Sequence, residues 1–299
     1  MPDRCGVRWG DPHRVESHNP SAAGKMSQVI WGTMPASSNF QNAIREAQSS
    51  ALVGPNVVNK ALPYVGGGMV LTAAGVLGGI STYASIGGQA FQTLSFIAII
   101  PWFILFFVAQ NAAQKANNST ALPLLATFSL VTGFTLTGVV LQAVAVVGAA
   151  NPENPLAGVS AVGSAALATG ITFVIASVVG RRMSDSVGQA LSGVVGLGLI
   201  GLIIAMVVQL VGGLFTGGGF GGSGFELIIS GFGTVLFVGM SFVDFYTMPR
   251  TYRDDQYLAG ALGMYLTYIN LFVFILRLLF FRGKNHLFFN SLAPHTHFP

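Results

Sequence analysis

Residues 190–215 read ALSGVVGLGLIGLIIAMVVQLVGGLF, a run without one charged side chain. At ~1.5 Å of rise per residue, about 20 helical residues cross a hydrocarbon core of roughly 30 Å. This run is long enough to do so. Six further apolar stretches follow, almost free of charge, at 63–83, 91–110, 123–147, 157–180, 225–247 and 257–281. Hydrophobic residues make up 52% of the chain and charged residues 8%, and the mean hydropathy is +0.65. A water-soluble protein has no use for so much continuous apolar sequence. The pattern predicts an all-α integral membrane protein, a bundle of seven transmembrane helices in contact with the lipid bilayer.

The connections have loop chemistry. NAAQKANNST (111–120), NPENP (151–155) and TGGGFGGSG (216–224) are polar, proline-bearing or glycine-rich. Pro63 and Pro123 suit a first helical turn, where no amide donor is missed. Pro101 falls inside the second span and is expected to kink it. Outside the membrane domain, taken as 60–282, lie a polar N-terminal tail (1–59) and a polar C-terminal tail (283–299). Residues 37–50 could form a short surface helix. Met26 is an alternative start. The early residues lack an apolar core flanked by small residues, so a cleaved secretory signal is not expected.

The formal net charge is +4, and the basic residues form no solvated patch, so nucleic acid is not an expected partner. They alternate instead. Lys115 follows the second span, Arg181 and Arg182 the fourth, and Arg250 and Arg253 the sixth, while the other connections carry no lysine or arginine. The positive-inside rule places the N-terminus in the cytoplasm. Seven crossings then put the C-terminus outside, against which Arg277, Arg282 and Lys284 argue. One cysteine, Cys5, rules out an internal disulfide and a cysteine-built metal site. Of 39 glycines, Gly75 and Gly79 make a small-xxx-small pair, and Gly193, Gly196, Gly198 and Gly201 crowd the fifth span. Small residues let helix backbones approach closely in lipid.

Charge at membrane depth marks the candidate site. A carboxylate there costs ~2.5–3.5 kcal/mol on insertion scales. Asp244 is the clearest case, set in GMSFVDFYTM (239–248). It could sense pH or hold a cation transiently. It also lies about two turns from Arg250, so reach to interfacial water is the alternative. Glu226 opens the sixth span, where the helix dipole accounts for it. Asn270 and Arg277 share the last span and could bond neighbouring helices. Asp254 and Asp255 read as solvated, and Asp185 as a local partner of Arg181.

Enzyme chemistry finds little footing. Gly221–Gly224 fits the GxSG pattern of rhomboid-type serine proteases, but Ser223 would need a base. The histidines (His13, His18, His286, His295 and His297) lie in the tails. An aspartyl protease needs two facing carboxylates, and Asp244 has no evident mate. No GxxxxGK[ST] occurs. No catalytic residue, resident metal or cofactor is expected.

Three segments carry a family resemblance. GMYLTYINLFVFILRLL (263–279) resembles the last helix of the Bax inhibitor-1 family. FSLVTGFTLTGVV (128–140) is similar to that family's third helix, and GRRMSDSVGQAL (180–191) to its basic, aspartate-bearing connection between helices four and five. Together with the span count, the likeness covers about residues 55–283. It implies a seven-helix bundle with the last helix at the centre. It also implies kinship with bacterial pH-sensitive calcium leak channels, in which aspartates on helices six and seven hold the gate. Asp244 matches the first of these, and the second falls on Thr267. The arginine those relatives carry at the end of helix two is replaced here, since FFVAQ (106–110) ends at Gln110. The resemblance therefore implies a passive, pH-influenced cation leak in a bacterial cytoplasmic membrane, with calcium as the carried ion and Asp244 and Thr267 as the cation or pH-sensing pair. It equally admits a non-transporting scaffold that modulates membrane proteases or stress responses through a membrane-protein partner.

Overall fold

The computed structural model describes residues 52–216 and 222–292. Among them stand α1 (Val57–Ile86), α2 (Gly88–Gln114), α3 (Asn118–Ala150), α4 (Ala157–Val179), α5 (Asp185–Thr216), α6 (Gly222–Thr251) and α7 (Tyr257–Leu292). A single 3-10 turn, Gly180–Arg182, links α4 to α5. Each of the seven long helices contains a window apolar enough to cross a membrane. The segment 37–50 and residues 293–299 lie outside the described residues, as do the side chains of Ser223 and His286.

The helices outrun the apolar stretches that announce them. Several extend by a turn or more, into residues such as Asp185 of α5 and Arg250 of α6. Pro63 and Pro123 therefore fall in the second turns of α1 and α3 instead of the first. At the start of α3 the Asn117 side chain accepts from the Thr120 amide at 3.4 Å. The helical backbone of α2 continues through Pro101.

One end of the bundle is tied by polar bonds between sequence-distant segments. The Asp254 carboxylate accepts from the Asn56 amide at 3.0 Å and from the Asn56 side chain at 3.3 Å. It thereby serves the open N-terminus of α1, where Asn56 gives no cap of its own. Asp254 is thus a capping group instead of a free solvated acid. The Asn118 side chain donates to the Asp255 carbonyl at 3.1 Å, and Gln256 to the Gln114 carbonyl at 2.6 Å. Arg181 donates to Asn59 at 2.9 Å. Asp185 instead meets Arg250 at 3.0 Å and accepts from the Tyr246 hydroxyl at 3.1 Å. These bonds draw the basic connections after α2, α4 and α6 to the same end as the start of α1.

Glycine serves close approach chiefly between α1 and α3. A side chain at Gly75 would strike the Leu130 carbonyl, one at Gly79 the Thr137 hydroxyl, and one at Gly133 the Thr72 carbonyl. Span five differs from expectation. Gly193, Gly196 and Gly201 face open space, and Gly198 alone of the four meets a neighbour, Leu236. The outer face of α5, with Leu197 and Val194 well exposed, is suited to lipid instead of to another helix.

The last helix packs against α1, α2, α3, α4 and α6. Tyr265, Leu262, Leu271 and Leu276 are fully buried along it. Its Tyr265 hydroxyl and the Thr72 hydroxyl of α1 lie 2.6 Å apart, and Thr72 also donates to the Ser129 carbonyl of α3 at 3.2 Å. Nearby, the Trp102 indole of α2 donates to the Thr132 hydroxyl at 2.7 Å. In a bundle with no hydrophobic drive between helices, such buried bonds help fix one packing.

Candidate functional site

Asp244 and Thr267 face one another across the seam between α6 and α7. The two helices run antiparallel through a short connection, and register follows from where that connection turns. Helix α6 passes through Pro249 and ends at Thr251. The Pro249 carbonyl is not wasted: it accepts the Val53 and Gly54 amides at 2.9 and 3.0 Å. That extra turn brings Asp244 level with Thr267, whose hydroxyl stands within hydrogen-bonding reach of the carboxyl. Thr267 itself is buried.

The second carboxyl oxygen, Oδ2 of Asp244, is buried and has no hydrogen-bond partner. Burying such a group is costly unless something satisfies it. The carboxyl borders a cavity of about 400 Å³, also lined by Phe237, Met240, Thr247, Tyr252, Thr267 and Asn270. The Tyr252 hydroxyl stands within hydrogen-bonding reach of the Gln110 side chain at the end of α2 and lines the same cavity as Asp244. Gln110 thus stands beside the site as a neutral amide.

Asn270 also faces this cavity. It does not bridge helices: its amide donates to the Leu266 carbonyl of its own helix at 2.9 Å. Arg277 lies farther along α7, at a second cavity of about 340 Å³ that also includes Glu226 and Gln142. Glu226 falls beyond the first turn of α6, which begins at Gly222, so the helix dipole does not account for it. Its carboxylate accepts from Gln209 of α5 at 3.5 Å and lies within electrostatic range of Arg277.

Tyr252, Met240 and Phe237 were not legible as site residues. Tyr252 lies in a connection, where an aromatic carries no spacing signal. Met240 and Phe237 could have been found by counting back one and two turns from Asp244 along the helix.

A chain of this architecture is a multi-pass integral membrane protein. The signature of the family described as Inhibitor of apoptosis-promoting Bax1 matches residues 54–284, and the chain belongs to that family. It is 28% identical over 195 residues to an uncharacterised membrane protein of Streptococcus pyogenes serotype M1, covering 63% of this chain and 73% of the relative. An uncharacterised protein of Borreliella burgdorferi is 28% identical over 201 residues, covering 63% of this chain and 75% of the relative. Bax inhibitor 1 of Schizosaccharomyces pombe is 35% identical over 54 residues, covering 18% of this chain and 20% of the relative.

Proposed function

We propose that this protein is a passive cation leak, carrying calcium, whose polar node is Asp244. One observation carries the reading: a carboxyl at membrane depth with one oxygen buried, unpartnered and set at the edge of an interhelical cavity. A carboxylate in that position attracts a cation, and its hard oxygen suits calcium. Protonation removes the charge and with it the attraction, which makes the leak pH-influenced. Thr267 supplies a hydroxyl where two carboxylates would share a proton, so the response follows a single acid. The basic connections gathered at one end support a cytoplasmic placement of that end and of the N-terminus, in a bacterial cytoplasmic membrane.

The test is calcium flux into proteoliposomes across a pH series. Wild-type flux should rise as Asp244 ionises, and Asp244→Asn should flatten the profile at a lower level. Identical profiles would remove Asp244 from the path.

The replacement of the second acid by Thr267 favours one other reading, a scaffold acting through a membrane-protein partner. A stoichiometric partner recovered from native membranes, with no flux at any pH, would select it. No covalent chemistry and no resident cofactor are proposed.

A further inference from the structure

The seam between α6 and α7 carries a repeating register. On α6, Asp244, Met240, Phe237, Gly233, Ser230 and Glu226 succeed one another at steps of three or four residues, which places them on one helix face. On α7, Thr267, Asn270, Phe274 and Arg277 do the same. The two stripes meet. Thr267 is level with Asp244, and the Phe274 ring lies against the Gly233 backbone, where a Cβ would come within 2.5 Å of it. Glu226 and Arg277 border one cavity.

Both stripes are polar at their ends and aromatic in the middle. Phe237 and Phe274 stack with centroids 5.5 Å apart and planes tilted 23°. Both are buried. Phe237 also lines the Asp244 cavity. On the far side, Val273 and Arg277, either side of Phe274 in sequence, line the second cavity. That second cavity shares Val139 and Gln142 with a larger one of about 490 Å³, bordered by Gln92, Ser95 and Phe96 of α2.

We propose that the Phe237–Phe274 stack is a hydrophobic gate that separates two polar compartments of one path, the Asp244 cavity and the Glu226–Arg277 cavity. The inference rests on the leak reading above and assigns its closing element. A constriction walled by apolar rings excludes water, and a cation cannot cross it without shedding its hydration shell. Gly233 lets the Phe274 ring approach the α6 backbone, where a Cβ would strike it, and this close fit keeps the stack closed. Opening needs only that one ring leave the seam, without moving Asp244.

The test uses the full chain with Cys5→Ser, which removes its one native thiol. Single cysteines at Asn270 and at Gln142 report the two compartments. A charged, membrane-impermeant thiosulfonate is applied to spheroplasts and then to inverted vesicles, so that each membrane face is exposed in turn. With Phe274 intact, the reagent that labels Gln142→Cys from one face should fail to reach Asn270→Cys from that face. Adding Phe274→Ala should let it do so, with at least a tenfold gain in labelling rate. Phe274→Val is read in its place if the alanine variant does not elute as a folded species. An unchanged rate at Asn270→Cys, or no labelling of Gln142→Cys from either face, overturns the gate. Calcium flux in the same variants separates the two readings. Gained labelling with gained flux supports both, while gained labelling with no flux keeps the gate and sinks the leak.

Discussion

The Asp185 carboxylate and the Arg250 guanidinium meet at 3.0 Å, joining the first turn of α5 to the last turn of α6, the helix that carries Asp244. The pair is only partly exposed, and it is held from three sides. Arg250 also donates to the Tyr246 carbonyl at 2.7 Å and lies 4.0 Å above the Tyr246 ring. The Tyr246 hydroxyl returns to Asp185. Removing one partner leaves the other charge poorly satisfied, a loss of about 1–3 kcal/mol. Asp185→Ala should therefore lower the thermal midpoint of the detergent-solubilised protein. Arg250→Lys should not spare it, because an ammonium cannot reproduce the planar fork and the ring stack. An unshifted midpoint in Asp185→Ala would show that the pair contributes nothing to holding α5 on α6.

Two glycines that look alike in sequence should behave oppositely. A methyl group at Gly133 would collide with the backbone of α1 at Thr72 and Val76. Backbone cannot yield as a flexible side chain does, so Gly133→Ala should force α1 and α3 apart at a cost of about 1–3 kcal/mol or more. Gly196 has nothing within 4 Å of the position its Cβ would take. Gly196→Ala removes a poor helix former without a clash and should leave stability unchanged or raise it by up to about 1 kcal/mol. Thermal midpoints of the two variants, measured side by side, check both signs.

The contrast between those glycines shows what the sequence could and could not disclose. The seven crossings were plain, because length and continuous apolar character follow from the thickness of the bilayer alone. Asp244 was plain for the same reason, as a charge where charge is costly. Packing was not. In lipid, both the buried and the lipid-facing sides of a helix are apolar, so no periodicity separates Gly133 from Gly196. The partner of Asp185 was misjudged because Arg181, four residues before it, donates to Asn59, while Arg250 reaches Asp185 from a helix distant in sequence. The Phe237–Phe274 stack became visible only with the shared register of α6 and α7, because aromatics in an apolar span carry no signal of which helix they meet.

Asp254 makes a prediction about the end of the bundle. Its carboxylate accepts from the backbone amide that opens α1, and its carbonyl accepts from Lys60 at 3.2 Å. Loss of an N-terminal cap costs about 0.5–2 kcal/mol. Asp254→Ala should fray the first turn of α1 and speed amide hydrogen exchange there. Asp254→Asn keeps an acceptor oxygen in place and should restore most of the protection. Equal exchange in all three proteins would mean that α1 is held from elsewhere.

The partner of Asp244 can be changed to ask what the missing acid would do. Thr267 stands within hydrogen-bonding reach of the Asp244 carboxyl, so Thr267→Asp would set two carboxyls side by side. Two such groups cannot both ionise freely. They share a proton and titrate as a coupled pair with two macroscopic steps. The infrared band of the protonated carboxyl should then fade in two stages with rising pH in Thr267→Asp, and in one stage for Asp244 in the native chain, with Asp244→Asn identifying its contribution. Thr267→Val, which removes the hydroxyl without adding an acid, should keep one stage at a displaced pH. Because the band reports proton occupancy and not transport, the measurement stands whether or not ions flow. If Thr267→Asp adds an independent single titration and leaves that of Asp244 where it was, the two positions do not communicate. Asp244 would then titrate as an isolated acid even with a second carboxyl placed opposite it.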